Sequence, residues 1–110
     1  MKEYFRGDTF IFPFTFENEN GESINFEVGD ILRCGIKSNI YSNNYILIHL
    51  IEMGEERGEV TFEFSANETK DVKLGKCLLE LELTRGGKVS TIYQEEIEIK
   101  GDVVRNESST

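Results

Sequence analysis

From Thr9 to Glu17 aromatic and polar residues alternate. Phe10, Phe12, Phe14 and Phe16 share one face, and Thr9, Ile11, Pro13 and Thr15 the other. A period of two predicts a strand with one dry side. Each buried ring contributes about 1.5–3 kcal/mol, so four in register supply much of a core. Such a stripe also suits a carbohydrate or cofactor platform, but alternation on a Thr-rich strand favours core. Pro13 cannot donate to a ladder. It is expected at a bulge, or where its nitrogen faces no partner.

The same pattern returns at Gly58–Ser65, where Val60, Phe62 and Phe64 alternate with Thr61 and Glu63. Ser65-Ala-Asn-Glu68 then has the form of a capping box, which predicts a helical turn near residues 66–72. Val72 and Leu74 are expected to close the core beneath this crossover, and Gly75 to reverse the chain. Cys77, Leu79, Leu81 and Leu83 alternate with Glu80 and Glu82 in a second strand. Leu78 breaks its pattern and is expected to be half-buried near an edge. A strand, one short turn and a strand in the facing sheet make a sandwich connection. A βαβ unit needs a longer helix.

Met1–Arg6 reads as a short leading strand with Tyr4 or Phe5 turned inward. The polar run Glu17–Glu22 is a hairpin turn, and Ile24 and Phe26 resume the alternation before Gly29-Asp30. Asp30–Lys37 places Leu32, Cys34 and Ile36 inward and Arg33, Gly35 and Lys37 outward. Ser38–Asn44 is an Asn/Ser-rich loop flanked by Tyr41 and Tyr45. Tyr45–Glu52 is apolar on both faces, with Ile46, Ile48 and Leu50 in one row and Leu47, His49 and Ile51 in the other. The second face has to be covered by a loop, a tail or another chain. This makes Tyr41, Tyr45, Leu47, His49 and Ile51 the candidate interface. Gly86-Gly87 is a tight hairpin signal. It sets Leu83 opposite Ser90 and Leu81 opposite Ile92, yet Ile97 and Ile99 lie in the other phase. A β-bulge is therefore predicted between Gln94 and Glu96.

Seven strands result, near 2–6, 9–17, 31–37, 45–52, 58–65, 76–84 and 88–100. The expected fold is all-β, an immunoglobulin-like Greek-key β-sandwich over residues 1–100. A polar tail follows over 101–110, attached in part through Val103 and Val104. In that strand order Glu80 and Glu82 face outward beside Arg33 and Lys37, with Glu96 and Glu98 on the far side. This candidate acidic face is either a set of cross-strand charge pairs or a docking surface for a basic partner.

The chain has 110 residues and a net charge of -9. One domain of this size builds a core without staples. The charge opposes direct contact with nucleic acid or anionic membranes. It suits solubility or a basic protein partner. No apolar run reaches the roughly 20 residues that span a bilayer, and Lys2, Glu3, Arg6 and Asp8 interrupt any secretory signal. Cys34 and Cys77 fall in apolar phases, as two buried thiols more readily than as a disulfide.

The residues offer no catalytic set. His49 is the only histidine and sits in an apolar strand. A lone histidine there is more often a packed residue than a base. Three Cys and His in total fall short of a structural zinc site, so no metal and no cofactor is expected. The carboxylates lie on outward faces where solvent keeps them ordinary, and nothing singles out a glycosidase pair. The 17–22 run lacks the order of an EF-hand loop. Arg6-Gly7-Asp8 spells the integrin tripeptide, and Asn67 and Asn106 open glycosylation sequons by spelling only.

Several stretches together resemble small proteins encoded in phage and prophage tail and baseplate regions of Gram-positive bacteria. They are Arg6-Gly-Asp-Thr-Phe10 before an aromatic strand, Asn20-Gly21, Gly29-Asp-Ile-Leu-Arg-Cys-Gly-Ile-Lys37, Gly58–Thr69, Gly75–Leu83 and Thr91. The style is that of the N-terminal immunoglobulin-like domain of baseplate upper proteins, over residues 6–100. Such domains often carry a tyrosine after the Gly-Lys of the sixth strand. Here it is Cys77, so a tyrosine-corner hydrogen bond cannot form there. The resemblance implies a non-enzymatic virion subunit, a tail or baseplate adaptor assembled in the bacterial cytoplasm. It would contact other tail proteins or itself. The alternative carried by the charge alone is an acidic inhibitor of a host nuclease or defence protein. A third is a carbohydrate-binding sandwich, which requires exposed rings along a groove.

Overall fold

A computed structural model describes residues 1–17, 19–23, 25–39, 41–42, 44–54 and 59–101. Ile24, Gly58, Val103 and Val104, and with them the expectations for the tail, lie outside the described residues. The elements in chain order are β1 (Lys2–Phe5), β2 (Phe10–Thr15), β3 (Ile31–Lys37), β4 (Tyr45–Glu52), β5 (Glu59–Phe64), α1 (Ala66–Thr69), β6 (Gly75–Arg85) and β7 (Lys88–Lys100). The fold is all-β. One sheet has the order β1-β7-β6-β3-β4 and the other pairs β2 with β5. β1 runs parallel to β7, and every other pairing is antiparallel.

The alternating rows explain the two layers. Phe10 and Phe12 on β2 pair with Phe64 and Phe62 on β5, and all four rings are buried. Facing them are Leu32, Cys34 and Ile36 on β3, Cys77, Leu79 and Leu81 on β6, and Ile97 and Ile99 on β7. The rings meet edge-on or tilted, Phe12 to Phe64 at 5.9 Å and Phe14 to Phe62 at 6.1 Å. Tyr4 brings β1 into the same cluster, 5.1 Å from Phe12. Phe14 and Phe16 are only half-buried, because the second layer has two strands and leaves their end of β2 open. Cys34 and Cys77 are free and buried.

Pro13 sits opposite Thr61 on β2, which among the described residues pairs with β5 alone, an edge strand being where proline is tolerated. The crossover from β5 to β6 passes from the small sheet to the large one through α1. Ser65 caps it: its hydroxyl accepts from the Glu68 amide at 3.2 Å, and Glu68 accepts from the Ser65 amide at 2.8 Å. Thr69 is fully buried. Its hydroxyl donates to the Asp8 carbonyl at 2.6 Å and accepts from the Gly7 amide at 3.2 Å. The turn that spells the integrin tripeptide is thus held by its backbone against α1.

Three expectations need correction. Val72 is buried as expected, but Leu74 is 43% exposed, since residues 72–74 form no regular element to turn both inward. Leu78 is half-buried, yet β6 lies at the centre of its sheet and not at an edge. The bulge falls opposite Leu81/Glu82, with Leu81 paired to Tyr93 and Glu82 to Thr91, so Ile92 is the extra residue. The Gly86-Gly87 turn does set Leu83 opposite Ser90. The phase changes sooner than predicted because Tyr93 must turn inward, where its ring meets Phe14 at 5.5 Å.

Candidate functional site: the outer face of the five-stranded sheet

β3 and β6 pair with Arg33 beside Glu82 and Gly35 beside Glu80. Arg33 is ion-paired to Glu82. Lys37 lies 3.2 Å from Glu80. Glu80 is a carboxylate on an outward row that is nonetheless only 4% exposed. A bulge explains this. Ile36 pairs with Leu47 but Lys37 with Tyr45, so Ile46 is the extra residue of β4. The slip moves Tyr45 to the outer face, where its ring lies over Gly35. A Cβ on Gly35 would overlap that ring. From there the Tyr45 hydroxyl donates to Glu80 at 2.7 Å, and the Gln94 amide donates to its other oxygen at 2.6 Å. The Arg33 and Lys37 cations stand 5.2 and 5.4 Å from the same ring, near enough for cation–π attraction.

The electrostatics follow from this cover. Burial alone would raise the Glu80 carboxyl, but donation from Tyr45, Gln94 and Lys37 outweighs it and holds it below the ordinary value. Burial, then donation to Glu80, then the charges of Glu82 and Glu80 push the Tyr45 hydroxyl up to about 12. The expectation of ordinary solvated carboxylates is corrected for Glu80: Tyr45 is its lid.

The candidate interface residues separate. Tyr41 is 90% exposed in its loop. Tyr45 is half-buried as just described. Leu47, His49 and Ile51 pair with Ile36, Cys34 and Leu32 and so face the core side. Leu47 and Ile51 pack against the core, and the His49 ring lies 4.3 Å from that of Phe64. His49 Nε2 meets Glu68 Oε2 at 2.6 Å, which ties the edge strand to the capping box. The row left outside is Ile48 and Leu50, with exposures of 42% and 63%. The sequence held a signal for this. Leu47, His49 and Ile51 run on to Met53, which is buried, whereas Ile48 and Leu50 run on to exposed Glu52. Of the candidate acidic face, Glu80 and Glu82 are paired to cations. Glu96 is exposed and Glu98 half-buried, opposite Leu78 and Lys76.

Two further features went unread in the sequence. Asp30 is buried, receives both Arg85 Nε at 2.9 Å and a second guanidinium nitrogen at 2.6 Å, and accepts from the Glu27 amide at 2.8 Å. It fixes the loop before β3 to the end of β6. An open cleft of about 330 Å³ lies between β2 and the hairpin half of β7, lined by Phe12, Phe14, Phe16, Tyr93 and Glu95 among others. Among the described residues no group of three or more His, Cys, Asp or Glu is placed to hold a metal ion, and no helix is long and apolar enough to cross a membrane. Comparison with protein-family models, with curated proteins and with solved structures gave no match.

Proposed function

We propose that this chain is an immunoglobulin-like protein-binding module, a tail or baseplate adaptor or accessory subunit of a phage or prophage virion. The observation that carries the binding role is the outer face of the large sheet. There Ile48 and Leu50 stand exposed beside the tightly paired Arg33, Glu82, Lys37, Glu80 and Tyr45. A paired polar centre flanked by exposed aliphatic side chains has the make-up of a protein interface. The immunoglobulin-like reading is supported by a strand order in which a short first strand lies parallel to the last, and the second and fifth strands form the opposite layer. The virion reading rests on the resemblance of residues 6–100 to baseplate domains.

The acidic-inhibitor reading is less favoured, because the carboxylates of Glu80 and Glu82 are occupied by Lys37 and Arg33 and are not free to mimic phosphates. The test is a size measurement of the chain alone and mixed with each protein encoded beside it. A complex of defined mass with one of them supports the adaptor reading. A chain that joins none of them contradicts it.

A further inference from the structure

Among the described residues the large sheet has unpaired edges at β4 and along part of β7. β1 meets only Ile97–Lys100 of β7, and β7 begins at Lys88. On the side away from β6, Lys88–Glu96 therefore have no strand alongside among the described residues. Six consecutive residues there, Val89-Ser-Thr-Ile-Tyr-Gln94, carry no charge, no proline and no glycine. Val89, Ile92 and Tyr93 are 58%, 39% and 40% exposed. Proteins usually blunt such an edge with charge, proline or a covering segment. Pro13 does this on β2; along Val89–Gln94 no charge or proline does it, and among the described residues the edge carries the bulge at Ile92 alone.

We propose that this edge pairs with the same edge of a second copy, β7 antiparallel to β7 about a twofold axis, joining two five-stranded sheets into one. The register follows from the bulge. Lys88, Ser90, Tyr93 and Glu95 pair with Arg85, Leu83, Leu81 and Leu79 and share the inner face. Val89, Thr91 and Gln94 pair with Thr84, Glu82 and Glu80 and share the outer face. A twofold axis between Thr91 and Ile92 sets Lys88 opposite Glu95, Val89 opposite Gln94 and Ser90 opposite Tyr93. Each of these three pairs joins residues of one face, as directly opposed residues of an antiparallel ladder must be, and the bulge residues Thr91 and Ile92 meet at the axis, where the ladder is interrupted. A shift of one residue sets Lys88 against Glu96, inner against outer.

Charge favours the same register. A chain of net charge -9 repels its own copies. Here uncharged residues meet uncharged residues, and symmetry supplies two Lys88–Glu95 pairs of opposite charge. Glu95 accepts from the Tyr93 hydroxyl at 2.8 Å, and a carboxylate retains capacity for a second donor. The span ends at Glu95, short of Ile97, where β1 begins. Counting from the two-residue turn, alternate pairs leave the backbone groups of Val89 and Thr91 pointing away from β6 and toward the new strand.

The test is sedimentation equilibrium of the full chain over about 1–100 µM, a range that brackets micromolar self-association. The expected mass is twice 12.6 kDa. Lys88→Glu should weaken the dimer by roughly tenfold or more, since two attractive pairs become repulsive. Adding Glu95→Lys to it should restore the dimer. Thr91→Pro should abolish it while circular dichroism stays unchanged, and the charge swap decides the matter if that variant does not fold. A monomer at every concentration overturns the proposal, and if a neighbouring protein then adds a strand here the edge serves that partner instead. A dimer indifferent to Lys88→Glu, or one that the swap fails to restore, also overturns it. This edge is separate from Ile48 and Leu50, so either reading can fail without the other.

Discussion

Gly35 is the residue on which the outer face turns. With no side chain it lets the Tyr45 ring lie flat on the sheet and reach Glu80. Gly35→Ala should push that ring away and uncover a carboxylate that relies on it. The expected loss is about 1–3 kcal/mol by the cost of overpacking, read as a lower denaturant midpoint. Sequence alternation marked Gly35 as outward but could not show what lay on it, because Tyr45 reaches that face only through the slip at Ile46. Buried Cys34 was legible from its apolar phase. Its thiol is pushed up to about 12 by burial, so reaction with a thiol reagent at pH 8 should be slow in the folded chain and complete once it is unfolded. In the sequence Asp30 is legible only as the start of the Asp30–Lys37 strand. Its partner Arg85 is distant in sequence, and no local pattern joins them.

Among the elements, the strands and the capping box were readable because each rests on local order: a period of two, or Ser and Glu three residues apart. Ser65→Ala removes the cap and should cost about 0.5–2 kcal/mol, measured by thermal or denaturant unfolding. Glu68 also holds His49 at 2.6 Å, so Glu68→Ala should cost more than Ser65→Ala and loosen β4 at its edge. The bulges were less legible. A change of phase between Ser90 and Ile97 requires one, but its place goes with the turn of the Tyr93 ring toward Phe14 on another strand. The parallel pairing of β1 with β7 joins the two ends of the chain, and nothing in either stretch specifies the other.

For the whole molecule, two alternating sets of apolar rows were enough to imply two layers, though not their unequal width of five strands and two. Net charge of -9 and a few covered charges set its response to pH. The Arg85 hydrogen bonds, opposed by burial and aided by the Glu27 amide, hold Asp30 below its ordinary 3.8. Glu80 likewise lies below its ordinary 4.5. Carboxyls lowered on folding contribute stability that is complete above their unfolded values and is lost as pH falls through the folded ones. Tyr45, raised from 10.0 to about 12, contributes below pH 10 and loses that contribution as pH rises toward 12. Melting temperature should therefore fall below about pH 4 and again above about pH 10, with a plateau between. Ile48 and Leu50 enter none of these terms, so changing them tests binding apart from stability.

The most direct measurement is the affinity of an Ile48→Asp, Leu50→Asp double variant for whichever neighbouring protein joins the parent chain. The outer-face account predicts an unchanged fold by circular dichroism and an affinity loss of roughly 30-fold or more, the scale of a single buried hot spot. Affinity equal to that of the parent would contradict it.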